Sequence, residues 1–370
     1  MASPAVARIR PAALRNNLDR ARAAAPGCPV LAVIKADAYG HGMADVARIL
    51  DSADAFAVAR FAEAVALRHS TDKDIVVMSE SLGHDDVVIA RDHNLQVVVH
   101  DLSQIDLLET LGSRAPLAVW LKIDSGMGRL GIAPADTAES IVRLRDCKGV
   151  DGEPVLMTHF ASADELDNAA TEEQLKCFGA AIGDWQGDVS VANSAGILGW
   201  PDALTSGGPL QYSGRNWIRP GLMLYGVSPF AGQPPADAGL RPAMSFEGCL
   251  TTIRELAKGA RVGYGGEWQA ARDSRIGVVN VGYADGYPWR MPGGSPVVVA
   301  GAMAPVVGRI SMDMISIDLT DVPAARTGDT VTLWGDQPHV AELAGRAVTS
   351  PYELLTGVGN RVERIVEAEN

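Results

Sequence analysis

The chain has few cysteines and no pairs of them. Cys28, Cys147, Cys177 and Cys249 lie far apart with no CxxC spacing. A disulfide framework or a cysteine zinc site is therefore not expected. Long runs of one charge sign are also missing, and the formal net charge is -13. Nucleic acid is excluded as a partner, because it needs clustered Lys and Arg to displace counterions. A small anionic substrate is not excluded, since one buried arginine can hold a carboxylate whatever the global charge. No apolar run is long enough to span a bilayer. The opening MASPAVARIRPAALRNN carries Arg8, Arg10 and Arg15 but no continuous apolar segment of the signal-peptide kind. The glycines of AYGHG form neither GxGxxG nor a P-loop. His159 and Asp164 in THFASAD have no second histidine at ligand spacing, so no metal is expected. These absences describe a cytoplasmic protein with reduced thiols.

What is present is a large apolar fraction, 47%, over 370 residues. That suits one large barrel plus a second unit, or two domains. A strand-like AVARI leads into a helix from Pro11 to Ala25, with proline in its first turn. Then β-rich runs alternate with helical stretches. The runs are PVLAVIK from Pro29, AFAVAR from Ala55, DIVVMS from Asp74, LQVVVHD from Leu95, LAVWLKID from Leu117, EPVLMTHF from Glu153, DVSVANS from Asp188 and WIRPGLMLYG from Trp217. Their near-continuous hydrophobicity fits parallel strands buried on both faces. Eight of them predict a (β/α)8 TIM-type barrel, with an open doubly wound sheet as the alternative. After Gly226 the alternation stops at a Pro- and Gly-rich linker, SPFAGQPPADAGLRPA. Strand-like runs separated by turns follow, with one late helical piece, SPYELLTG. The expected domains are a barrel over 1–231 and a mostly β domain over 232–370. The first few residues are expected to pair with the C-terminal domain.

In a barrel, functional residues gather at the C-terminal ends of strands. Lys35 ends the first run. Lys122 and Asp124 end the fifth, with Arg129 in the loop beyond. His159 ends the sixth, Asn193 and Ser194 the seventh; Arg219 lies in the eighth, followed by Gly221 and Leu222. Each alone reads more readily as structural: a hydrogen-bonded core histidine, an ion-pair arginine. Their coincidence at one mouth points to function. A lysine there can bind phosphate, act as a base or form a Schiff base, and desolvation frees its amine for the last two. Ser194 with the N–H groups of Gly221 and Leu222 offers a phosphate cradle. Lysine plus a phosphate site across the barrel is what pyridoxal 5'-phosphate requires.

AVIKADAYGHG, from Ala32, closely resembles the cofactor-lysine motif of alanine racemases. LKIDSGMGRLG, THFASAD, ANSAGIL, IRPGLMLYG, RVGYGGEW, VGYADGYPW and VGRISMDMISID are similar to segments of that family, in the same order, from about Ala32 to Asp318. The resemblance implies a (β/α)8 barrel followed by a β domain. It implies a pyridoxal-phosphate enzyme interconverting L- and D-alanine to supply D-alanine for cell-wall peptidoglycan. Lys35 would hold the cofactor and act as base on the D-face, and Tyr264 would be the base on the L-face. Arg219 would face the pyridine nitrogen. Arg129 would contact the cofactor's phenolic oxygen and the substrate carboxylate. Tyr39, Ser194, Gly221 and Leu222 would hold the phosphate, with His159 and Asn193 beside the cofactor. Met312 and Asp313 would lie by the substrate, and Tyr283 matches an entrance tyrosine. Lys122 matches a lysine that many members carry as a carbamate, which would orient Arg129. A homodimer sharing its sites, with the β domain over the partner's barrel, is also implied. One departure stands out: members often place a tyrosine just before the arginine of the C-terminal segment, whereas TGVGNRVER has Asn360 before Arg361. No tyrosine contact to the phosphate is expected from that segment.

The implied chemistry suits these groups. Racemisation takes the α-proton from one face and returns one to the other, so two opposed bases suffice. A tyrosine starts from a pKa of about 10 and needs a cation beside it to serve. An arginine at the pyridine nitrogen would leave that nitrogen unprotonated, weakening the electron sink and suppressing transamination. Two other readings use the same barrel: an amino-acid decarboxylase, against which RVGYGGEW and VGRISMD speak, and a cofactor carrier, against which the β domain speaks.

Overall fold

The computed structural model describes residues 5–111 and 115–368. The first four residues of the opening stretch lie outside them, as do the last two of the chain.

β1 (Val6–Ile9) does not join the barrel. It pairs antiparallel with β9 (Met244–Leu256) and parallel with β17 (Glu363–Val366), in the sheet of the C-terminal domain. α1 (Pro11–Ala24) follows, its proline at the start where the missing N–H costs nothing. Its buried residues Leu14, Leu18 and Ala21 recur at helical spacing on one face.

The barrel strands come next. β2 (Leu31–Val33), β3 (Ala55–Val58), β4 (Asp74–Val77), β5 (Gln96–Val99), β6 (Val119–Lys122), β7 (Val155–Met157) and β8 (Val189–Ser190) form one parallel sheet in sequence order. β2, β3 and β6 are buried at every residue, as strands covered on both faces must be. The intervening segments are α2 (Lys35–Gly40), α3 (Met43–Ile49), α4 (Phe61–Arg68), α5 (His84–Asp92), α6 (Leu102–Thr110), α7 (Thr137–Asp146) and α8 (Ala170–Ile182); α9 (Ser194–Gly199) follows β8.

The eighth run is extended only in its first half. Asn216 bridges Val189, and Ile218 bridges Val30. The Trp217 N–H donates to Val189 O at 2.8 Å, and the Leu31 N–H to Ile218 O at 2.9 Å. These contacts close the barrel. Pro220 has no N–H to extend the ladder, and the chain turns at Gly221 into a 3-10 helix, Leu222–Tyr225.

In the C-terminal domain the strand order is β12-β15-β14-β13-β16-β9-β1-β17, and β12 also pairs with β9. The long β9 bends, meeting β16 through Cys249 and β12 from Leu250 onward, which curls the sheet on itself. Its members are β12 (Ser274–Val279), β13 (Pro296–Val299), β14 (Ala302–Val307), β15 (Ile315–Asp318) and β16 (Thr330–Trp334), while β10 (Arg261–Val262) and β11 (Trp268–Gln269) make a separate small hairpin. α10 (Val340–Arg346) and α11 (Pro351–Thr356) precede β17. α11 is the expected late helix; α10 was not expected. One hydrophobic core runs through barrel and C-terminal domain alike.

Candidate active site

The segment after β2 carries Lys35 into a single helical turn of the wrong hand. Ala36, Asp37, Ala38 and Tyr39 all have φ of 52–53°. Left-handed backbone costs an L-residue about 1–2 kcal/mol each, so surrounding contacts must impose it. The turn brings Tyr39 inward, where its ring stacks on Tyr225 at 4.6 Å. Tyr225 is anchored by donating its hydroxyl to Val33 O at 3.0 Å. Gly221 passes so close that a Cβ there would sit 2.7 Å from the Tyr39 hydroxyl.

Above this floor lies a cavity of about 360 Å³. Lys35, Tyr39, Lys122 and Arg129 line it, with His159, Asn193, Ser194, Arg219, Gly221 and Leu222. The barrel residues expected at the mouth therefore meet there, Asp124 excepted, and Tyr39 joins them. Arg219 is 3% exposed. It donates to Ser190 Oγ at 2.5 Å, to Thr158 O at 2.6 Å and to Val191 O at 3.3 Å, and lies 3.5 Å from the His159 ring nitrogen. Burial lowers its pKa to about 10, so it remains a cation at neutral pH. His159, half-buried, is held well below the ordinary histidine value by desolvation and the cations Arg219, Lys122, Arg129 and Lys35, and so is neutral.

The two lysines are tuned alike. Burial lowers the Lys35 pKa, aided by Arg129 and opposed by Glu63. Lys122 falls to about 8 through burial and the nearby Arg219, Arg129 and Lys35. Arg129 rides a loop organised by Asp124, whose Oδ1 accepts the N–H groups of Gly126, Met127 and Gly128 at 2.8–3.1 Å. On the far side Asn193 caps α9 through Gly196, and Ser194 Oγ accepts the N–H of Gly221 at 3.0 Å and of Met223 at 3.3 Å.

This donor set fits pyridoxal phosphate. A lysine with a lowered pKa stands at one side. At the other, a hydroxyl and backbone N–H groups gather round a glycine whose missing Cβ leaves room beside Tyr39.

The C-terminal residues are placed elsewhere. Tyr264, just after β10, is 70% exposed and does not line the cavity. Tyr283 and Met312 are 42% and 53% exposed. Their loops are joined by the Tyr283 N–H to Ser311 O and the Ala284 N–H to Met312 O, and Arg361 bridges Asp285 and Asp313 at 2.7 and 2.6 Å. Tyr264, Tyr283, Met312 and Asp313 are thus not brought to Lys35 within one chain.

One residue was missed. Tyr352 of α11 lines the cavity, its ring 5.9 Å from that of Tyr39. Tyr352 lies ahead of TGVGNRVER, the segment from which no tyrosine is expected. Asn360 does lack the side chain, but a tyrosine arrives from α11 instead. The available signal was the tyrosine of SPYELLTG, read only as part of a helix.

Comparison with known proteins follows the same division of the chain. Residues 9–229 match the family described as alanine racemase, N-terminal domain, and residues 243–366 that described as alanine racemase, C-terminal domain. The alanine racemase of Aeromonas hydrophila is 43% identical over 97% of this chain and 98% of its own. The crystal structure of the biosynthetic alanine racemase from Pseudomonas aeruginosa superposes with a TM-score of 0.90 at 42% identity, covering 99% of each chain. That of the alanine racemase from Bartonella henselae with covalently bound pyridoxal phosphate gives 0.85 at 26% identity, covering 99% of this chain and all of the other. The chain belongs to the alanine racemase family.

Proposed function

We propose that this chain interconverts L- and D-alanine with pyridoxal phosphate, working in the cytoplasm to supply D-alanine for cell-wall peptidoglycan. The observation that carries the reading is the cavity in which Lys35, Arg129 and Arg219 meet the Ser194–Gly221 cradle. When bound, the cofactor would withdraw electrons from the substrate's α-carbon and make its proton acidic. The protein supplies the rest. Lys35 would hold the cofactor and, once its amine is released, carry a proton at Nζ on one face. Tyr264 would carry a proton at its phenolic oxygen on the other. Arg129 would orient the substrate carboxylate. Ser194, Gly221, Leu222, Tyr39 and Tyr352 would hold the phosphate. Arg219, with its acceptors on the barrel floor occupied by its own N–H groups, would present positive charge to the ring nitrogen.

Lys122 is suited to carry a carbamate. Only a neutral amine adds CO2, losing a proton as the N–C bond forms, and a pKa of about 8 makes that form accessible. The anion would then stand among three cations.

Tyr264, Tyr283, Met312 and Asp313 would act on a second copy's cavity. Their exposure supports a homodimer in which each β domain completes the other barrel.

The test is optical rotation. The protein supplied with pyridoxal phosphate should bring L-alanine to zero rotation, and Lys35→Ala should abolish both this and the bound-cofactor absorbance while remaining folded. Cofactor binding without loss of rotation would defeat the racemase reading, and a panel of other L-amino acids would set the substrate range.

A further inference from the structure

The turn after Lys35 is gripped from two sides. From the barrel, Glu63 Oε1 accepts the Ala36 N–H at 2.6 Å. From the C-terminal domain, Arg364 of β17 donates its Nε–H to Gly40 O at 2.9 Å, and its guanidinium stands 3.6 Å from Asp37. Its Nη2–H donates to Val358 O at 3.0 Å and its Nη1–H to Val362 O at 3.3 Å. The guanidinium is therefore fixed by its own loop before it reaches the turn. Asp37 in turn accepts the Met43 N–H at 2.8 Å, which ties the turn to α3. The proposed mechanism makes no use of Arg364.

Four successive left-handed L-residues persist only where their surroundings over-determine them. Backbone bonds tie the turn at its ends: the Ala38 N–H to Ile34 O, the His41 N–H to Ala38 O and the Gly42 N–H to Asp37 O. The hand of the turn decides where the chain leaves Lys35 and where Tyr39 arrives. We propose that Arg364 is a positioning residue for the cofactor side of the site: by holding Gly40 O and Asp37 it keeps the Ala36–Tyr39 turn left-handed and so aims Lys35 and Tyr39. This rests on the reading of Lys35 as the cofactor lysine. Arginine is required because a planar fork can serve Gly40 O and Val358 O together, whereas the single nitrogen of a lysine cannot span both.

Amide hydrogen exchange on the full-length protein, with and without added pyridoxal phosphate, tests it. In Arg364→Met the amides of Ala38, His41 and Gly42 should exchange at least about tenfold faster, as a local opening, while those of β1 and β9 keep their rates. Pyridoxal phosphate should bind more weakly. kcat should fall by about a hundredfold with little change in KM, since misplacement of reacting groups acts on the chemical step. Arg364→Lys, which keeps the charge toward Asp37, should fall between the two on every readout. Wild-type exchange at the three turn amides in a folded Arg364→Met would overturn the proposal. If Arg364→Met does not fold, wild-type exchange and cofactor affinity in Arg364→Lys would overturn it. A wild-type protein that fails to racemise alanine would overturn the proposed function and leave the exchange result standing.

Discussion

The two candidate bases occupy opposite surroundings. Lys35 is half-buried in a cavity with Arg129, Arg219 and Lys122, and its pKa is lowered by that setting. Tyr264 stands 70% exposed beside a two-stranded hairpin. The backbones differ as well. Beside Tyr264 the left-handed positions are Gly263, Gly265 and Gly266, where no Cβ objects. Beside Lys35 they are two alanines, an aspartate and a tyrosine. At the hairpin, glycine takes up the left-handed positions, so no outside contact is needed to impose them. The Lys35 turn needs Glu63, Arg364 and the backbone of α11 against it, since a Cβ on Gly40 would lie 2.1 Å from Leu355 O. In the proposed dimer, one half of the site would be built inside a chain and the other displayed for a second chain to receive.

The comparison is broken most forcefully by removing each base. Tyr264→Phe should cut racemisation by about 10²- to 10⁴-fold, the usual range for a general base. It should leave the unfolding midpoint almost unmoved, because an exposed side chain contributes within about 0.5 kcal/mol. Calorimetry beside the activity assay checks both. A large loss of stability would mean the hydroxyl serves the fold.

A smaller effect is expected from the cradle. Gly221→Ala forces a Cβ to 2.7 Å from the Tyr39 hydroxyl and should weaken pyridoxal phosphate binding by at least about tenfold, as loss of one good polar contact does. Gly208→Ala, where nothing lies within 4 Å of the new Cβ, should leave the affinity unchanged. Cofactor titration by absorbance compares them.

A third effect concerns pH. His41 is fully buried, donates its Nδ1–H to Tyr39 O at 2.9 Å, and is lowered by burial to about 4. Between that value and about 6.5 the unfolded chain binds a proton that the native one refuses. Stability should therefore be present above pH 6.5 and lost as pH falls toward 4, by about 3 kcal/mol over the window at 1.36 kcal/mol per unit. Denaturant midpoints of wild type and His41→Gln across that range should differ in slope, the variant being flatter.

Much of this was legible in the sequence for physical reasons. Strands buried on both faces must be apolar throughout, so PVLAVI and its seven counterparts could be counted. Polar residues ending such runs have nowhere to go but the mouth, which located Lys35, Lys122, His159 and Ser194. The left-handed turn was not legible, because KADAY contains no glycine and its hand is imposed by residues far along the chain. Tyr352 was hidden for the same reason: α11 reaches the cavity by packing on Gly40. α10 is short, and its HVAELAGR sequence offers little periodicity. The second half of WIRPGLMLYG reads as apolar strand, yet Pro220 and Gly221 turn it into a 3-10 helix.

The central claim is that a working site takes Lys35 from one chain and Tyr264 from another. Subunit exchange between Lys35→Ala and Tyr264→Ala tests it directly. Each variant alone should be inactive. After mixing, a heterodimer would hold one site with both bases intact, and racemisation of L-alanine should return to a fraction of the wild-type rate. Racemisation that stays absent although heterodimers have demonstrably formed would place both bases in one chain and contradict the account.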